Sequence, residues 1–172
     1  MMTLVIGGSK CGKSSFAESL FSEFSGEKFY IATMIPLGEE AHTAIENHRR
    51  IRMGKGFETV EKYTDIEEIL LPENCGIMLE CMGNLCANEM FRGEKISDPT
   101  EKIMRGITRL KNLSSRLVIV SNDVSCDGMI YKKETAQYIE ILSGINRKIA
   151  EISDNVVECV FGIPIARKGA IK

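Results

Sequence analysis

Short apolar runs alternate with amphipathic stretches along the chain, the pattern of βαβ units feeding a mainly parallel sheet. Thr3–Ile6 reads as a first buried strand. Lys13–Phe24 reads as a helix, with Phe16, Leu20 and Phe24 at every fourth position. Lys28–Ala32 is a second strand, Glu39–Arg52 a helix with a strongly polar face, and Phe57–Glu61 a short strand. Asp65 is placed to cap a short helix after it. Gly76–Glu80 is a further strand. Asp98-Pro99 pairs an N-cap with proline at the first helical position, opening a helix to about Leu113. Leu117–Ser121 reads as a buried strand and Asn155–Phe161 as the last one. Between them Lys132–Ser153 is a long helix with Ala136, Ile139, Leu142, Ile145, Ile149 and Ile152 on one face. No repeat, low-complexity tract or linker interrupts this order, so residues 1–172 are expected to form one domain.

Composition narrows the class. At 172 residues, 44% apolar and 27% charged, the chain has the balance of a globular domain with a sizeable core. The net charge of -2 argues against a nucleic-acid binder working by bulk charge. No run of 18 apolar residues suggests a membrane span, and the N-terminus lacks the basic region of a signal peptide. A cytoplasmic location is therefore expected. The six cysteines include no CxxC pair, and two histidines do not complete a zinc site. Reduced, mostly buried thiols are expected. Cys11 stands apart, inside a glycine-rich loop at a helix N-terminus.

That loop carries the strongest chemical signal. Gly7-Gly8-Ser9-Lys10-Cys11-Gly12-Lys13-Ser14 matches G-x-x-x-x-G-K-[ST] and lies between a strand and a helix, as the motif requires. Its glycines let backbone N–H groups converge on phosphate oxygens, and the helix N-terminus favours negative charge. Lys13 is expected to neutralise the β and γ phosphates, and the Ser14 hydroxyl to join a Mg²⁺ shell. The metal-side carboxylate of such a site should end another buried strand; Glu80 and Asp123 both stand at such ends, and Glu80, reached directly from an apolar run, is the preferred candidate. The fold expectation is α/β: a three-layer domain of the P-loop NTPase type with a mainly parallel sheet.

The segment Glu46-Asn47-His48-Arg49-Arg50-Ile51-Arg52 places one histidine among three arginines. Neighbouring cations favour the neutral imidazole, which suits a nucleophile or base. Arginines hold phosphates by paired hydrogen bonds. By composition alone, however, a histidine in a charged helix reads as part of a solvated face.

The motifs occur in a telling order: the Gly7–Ser14 loop, Tyr30-Ile31-Ala32-Thr33, Ile45-Glu46-Asn47-His48-Arg49, Leu79-Glu80-Cys81, Val120-Ser121-Asn122-Asp123-Val124, Gly144-Ile145-Asn146 and Gly162-Ile163-Pro164. In this order the chain resembles the bifunctional adenosylcobinamide kinase/adenosylcobinamide-phosphate guanylyltransferase family of cobalamin biosynthesis. The resemblance implies ATP or GTP as phosphoryl donor to a corrinoid alcohol. It also implies GMP transfer from GTP through a GMP–histidine intermediate, with His48 as nucleophile and Lys13 on the phosphates. Under the same resemblance Ala32, Thr33, Met34, Glu61, Glu80 and the Arg49, Arg50, Ile51, Arg52 stretch line the nucleotide. Ser14 and Glu80 serve Mg²⁺. A seven-stranded, mainly parallel sheet and a homotrimer are implied as well.

The chain departs from the family where Asn122-Asp123-Val124-Ser125 is followed by an insertion around Cys126-Asp127. Glu134, Gln137 and Glu140 stand where the family carries arginines. These differences fall where the corrinoid or a neighbouring subunit would be met. A simpler P-loop kinase or NTPase acting on another small molecule, and a regulatory nucleotide binder without catalysis, are the competing readings.

Overall fold

The computed structural model describes residues 1–36, 38, 54–124, 129 and 131–171. The predicted Glu39–Arg52 helix, with His42, His48, Arg49, Arg50, Ile51 and Arg52, lies outside the described residues. The elements run β1 (Met2–Gly7), α1 (Lys13–Ser19), β2 (Lys28–Ala32), β3 (Phe57–Glu61) and a 3₁₀ turn (Ile66–Glu68). They continue with β4 (Gly76–Glu80), α2 (Met82–Met90), α3 (Thr100–Leu113), β5 (Arg116–Asn122), α4 (Lys133–Ile152), β6 (Asn155–Val160) and β7 (Ile163–Lys168). The strands form one seven-stranded sheet in the order β3-β2-β4-β5-β1-β6-β7. All neighbours are parallel except β6 and β7.

Strand periodicity divides the core into two layers. Leu4, Ile31, Ile77, Leu79 and Ile119 pack on one face with Leu85 of α2, Ile107 of α3 and Leu142 of α4. Val5, Tyr30, Met78, Val118 and Val120 point the other way and pack with Ala17 of α1 and with Phe21. Successive residues of a strand face opposite sides, so apolar runs of this kind demand helices on both faces. Burying each large side chain contributes roughly 1.5–3 kcal/mol before entropy is counted. The expected three-layer α/β architecture with its mainly parallel sheet is the one observed.

Several local expectations are corrected. The first helix stops at Ser19 rather than Phe24. Beyond it, N–H groups of Phe21, Ser22 and Phe24 bond three residues back, to Glu18, Ser19 and Phe21. The Phe21 N–H thus turns to Glu18 rather than Ala17, which ends the α-helical ladder in 3₁₀-type bonds, and the Arg116 guanidinium of β5 takes the Leu20 carbonyl. Asp65 makes no capping bond; its carboxylate pairs with Arg92 and Lys102. The helix expected from Pro99 begins at Thr100, although the Asp98 carboxylate still accepts the Thr100 N–H at 2.8 Å.

Two elements have no counterpart in the sequence pattern. α2 contains glycine and two asparagines, poor helix formers, and its N-cap is the Cys81 sulfur, which accepts the Asn84 N–H at 3.4 Å. It is held by burial of Met82, Leu85, Cys86 and Met90. β7 follows a two-residue turn in which Phe161 and Gly162 both take positive φ, the geometry that tight hairpins favour. Pro164 is tolerated there because β7 is an edge strand.

Candidate functional site

Sheet register creates the site. Ala32 at the end of β2 pairs with Glu61 of β3 on one side and with Glu80 of β4 on the other. Glu80 in turn pairs with Val120 of β5. Directly paired residues project to one face of a sheet, so two carboxylates flank a small side chain at the carboxyl ends of the strands. Met78, two residues before Glu80, packs in the α1 layer, which places this row on the α1 side. Ligands of open α/β sheets bind beyond those strand ends.

The glycine-rich loop enters from β1 and is pressed against the β6–β7 hairpin. A Cβ on Gly7 would lie 2.5 Å from the Cys159 carbonyl oxygen. Gly12 caps α1 at φ 92, and a Cβ there would meet Gly162 Cα at 3.2 Å. Only glycine satisfies both the backbone angle and that approach. The hairpin closes the contact, with Gly162 N–H donating to the Cys11 carbonyl at 3.0 Å. Lys13, the first residue of α1, is 7% exposed, and its ammonium donates to the Gly8 carbonyl beneath the loop. Cys11 Sγ lies 3.7 Å from the same nitrogen.

Ser14 donates its hydroxyl to Glu80 Oε1. Tyr30, on the same face of β2 as Ala32, donates its phenol to Glu80 Oε2 at 2.7 Å. Both carboxylate oxygens are therefore oriented by hydroxyls from separate elements. A serine hydroxyl beside a carboxylate at the start of the helix is a set of hard oxygen donors, which fits Mg²⁺. Among the described residues no group of three or more His, Cys, Asp and Glu side chains could hold a metal. Further ligands at this pair would have to come from a bound phosphate or water.

These groups open on a cleft of about 570 Å³. Ser9, Lys10, Lys13 and Ser14 form its loop side; Ala32, Met34, Glu61 and Glu80 form its sheet side. Of the residues assigned to a nucleotide from sequence, Gly7, Gly8, Cys11 and Gly12 shape the loop behind this lining. Thr33 is not in the lining. It is fully buried and locks the strand ends together, donating to the Cys81 carbonyl at 2.9 Å and accepting the Cys81 N–H at 2.8 Å. Burial pushes the Cys81 thiol above its ordinary pKa, which keeps it a thiol rather than a thiolate.

Sequence reasoning passed over Tyr30, Tyr63, Asn84 and Asn122, all in the cleft wall, and Asn88 behind it. Tyr30 was accessible to it, since it lies two positions before Ala32 on a strand face. Asn88 was not, because α2 gave no pattern. Its amide nitrogen donates to the Thr33 carbonyl at 2.8 Å and to the Tyr63 carbonyl at 2.9 Å, tying together the segments after β2 and β3.

A family model described as "Cobinamide kinase / cobinamide phosphate guanyltransferase" matches residues 3–166. The Escherichia coli K12 protein named "Bifunctional adenosylcobalamin biosynthesis protein CobU" is 29% identical, over 98% of this chain and 100% of its own. The Salmonella typhimurium protein of the same name is 27% identical over the same shares. The Pseudomonas aeruginosa "Bifunctional adenosylcobalamin biosynthesis protein CobP" is 25% identical over 98% of each chain. The phosphate loop and the row of strand ends around it thus lie within a match that runs nearly end to end, and the chain belongs to the cobinamide kinase / cobinamide phosphate guanyltransferase family.

Proposed function

We propose that this protein phosphorylates adenosylcobinamide and then transfers GMP from GTP to the resulting phosphate. The observation that carries the nucleotide half is the convergence of Lys13, the Ser14–Glu80 pair and the glycine-rich loop on one cleft. In the first reaction the corrinoid hydroxyl oxygen bonds the γ-phosphorus. The bond to the β–γ bridging oxygen breaks, the nucleoside diphosphate leaves and the hydroxyl proton passes to water. Lys13 stabilises charge that builds on the phosphate oxygens as this bond breaks. In the second reaction a neutral nitrogen of His48 bonds the α-phosphorus of GTP and pyrophosphate leaves. A phosphate oxygen of the corrinoid phosphate then displaces the imidazole and takes the GMP.

Ser14 and Glu80 would hold Mg²⁺, which when bound offsets phosphate charge. Tyr30 keeps the Glu80 carboxylate turned toward Ser14. The role of His48, and of Arg49, Arg50 and Arg52 as phosphate contacts, rests on the order of motifs in the sequence. A homotrimer rests on the same resemblance. It is supported by the exposed apolar hairpin beside the loop, where Phe161 is 94% exposed and Ile163 is 64% exposed. Among the described residues no helix is long and apolar enough to cross a membrane.

The deciding experiment is incubation with α-labelled GTP and Mg²⁺, followed by mapping of the labelled residue. The expected product is an acid-labile, alkali-stable GMP adduct on His48 with pyrophosphate released. It should be lost in His48→Ala and kept in His42→Ala. An acid-stable label, or one retained in His48→Ala, would favour a plain P-loop kinase without a histidine intermediate.

A further inference from the structure

A second cavity, about 550 Å³, adjoins the nucleotide cleft. The two share Ser9 of the phosphate loop and Asn122 at the end of β5. Beyond that common rim the linings differ in chemistry. The nucleotide cleft carries Lys10 and Lys13. The second cavity is lined by no lysine or arginine among the described residues; it presents Val124, Tyr131, Tyr138 and Ile139, with Thr135 and one acid, Asp123. Among the described residues no cation there offsets the Asp123 carboxylate for a polyanion, whereas an uncharged amphipathic group finds apolar walls and hydroxyl partners.

Three of the lining residues, Asn122, Asp123 and Tyr138, are tied to neighbouring elements. The Asp123 N–H donates to the Gly7 carbonyl at 3.0 Å, tying β5 to the phosphate loop. Asn146 of α4 accepts from the Ser121 hydroxyl at 2.6 Å and donates to the Asn122 carbonyl at 3.2 Å. Tyr138 donates to the Gly83 carbonyl at 3.2 Å, pinning α4 against the start of α2. Lining residues held this way add little ordering cost on binding.

We propose that this cavity takes the hydroxyl-bearing arm of the phosphoryl acceptor, an uncharged amphipathic group. The acceptor then approaches the phosphates across the Ser9–Asn122 rim while the nucleotide occupies the other side. This rests on the kinase reading above and adds where the acceptor sits and what class of group is admitted.

Thr135 is exposed on the first turns of α4, so a bulky side chain there fills the cavity without entering the core. The test measures KM for adenosylcobinamide and for the nucleoside triphosphate in Thr135→Trp, with Thr135→Arg as a second variant should the first not fold. The expected result is a rise of tenfold or more in the adenosylcobinamide KM, with the nucleotide KM within twofold of the parent. An unchanged adenosylcobinamide KM in a folded variant, or an equal rise in both constants, would overturn the acceptor cavity while the parent's turnover upholds the kinase reading. A parent that hydrolyses nucleotide but never phosphorylates adenosylcobinamide would overturn the kinase reading and the acceptor cavity with it.

Discussion

Ser14 and Glu80, 66 positions apart in sequence, meet through a hydrogen bond from the serine hydroxyl to the carboxylate. One stands in the first turn of the helix that follows β1 and the loop, and the other ends β4, two places from β1 across the sheet with β5 between them. Tyr30 completes the arrangement from β2, so three elements determine where one carboxylate points.

If this pair serves Mg²⁺, replacing either Ser14 or Glu80 with alanine should raise the metal concentration needed for activity. Loss of a group that holds or orients a metal ligand costs roughly 10–100-fold in metal affinity or activity. Tyr30→Phe should move the Mg²⁺ dependence in the same direction by less, since the Ser14 bond remains. A Mg²⁺ titration of turnover checks all three. An unchanged dependence in Glu80→Ala would transfer the role to Asp123.

Lys13→Ala should abolish productive triphosphate use. The ammonium is buried under the loop and would face several phosphate charges in a partly dry site. Its loss should cost on the order of 2–4 kcal/mol in transition-state stabilisation. Steady-state turnover within threefold of the parent would contradict the phosphate-loop assignment.

Asn88→Ala should loosen the cleft from behind. The substitution removes the donor shared by the Thr33 and Tyr63 carbonyls. A buried acceptor that loses its partner costs on the order of 1–3 kcal/mol. In a domain of this size each kcal/mol lowers Tm by about 2–4 °C. Thermal unfolding, paired with the nucleotide KM, would show whether the fold and the cleft respond together.

Acid stability should depend on Asp65. Hydrogen bonding from Lys102, aided by Thr64 and Arg92 and opposed by burial, lowers its pKa from 3.8 to about 2. A carboxylate whose folded pKa lies below its unfolded value stabilises the fold above the unfolded pKa. That contribution is lost as pH falls from about 4 through 2. It amounts to on the order of 2 kcal/mol at neutral pH. Burial works to lower the Lys102 pKa, but its bonds to Asp65 and Glu89 outweigh it and raise the value above 10.5. The lysine's share is therefore lost only in alkali. Denaturant unfolding of the parent and Asp65→Asn should differ most near pH 7 and converge toward pH 2.

The alternation of strand and helix, the glycine-rich loop and a preferred acid at the end of β4 are legible in the sequence alone. The reason is that these features are local. Apolar runs such as Gly76–Glu80 declare a buried strand, and the spacing from Gly7 to Ser14 declares a loop shaped for phosphate. Tertiary structure decided what depends on neighbours. α1 ends at Ser19, where N–H groups turn to carbonyls three residues back and Arg116 from a distant strand binds the Leu20 carbonyl. α2 exists despite a poor helical composition because packing against β5 and α4 buries it. The family resemblance puts Thr33 among the nucleotide contacts, whereas its bonds to Cys81 make it a buried fastener of strand ends. Tyr30 and Glu80 became partners through strand register, which no single segment encodes. Hydrogen bonds across the sheet set that register, and it brought two carboxylates and a phenol to the cleft where α1 presents the Ser14 hydroxyl.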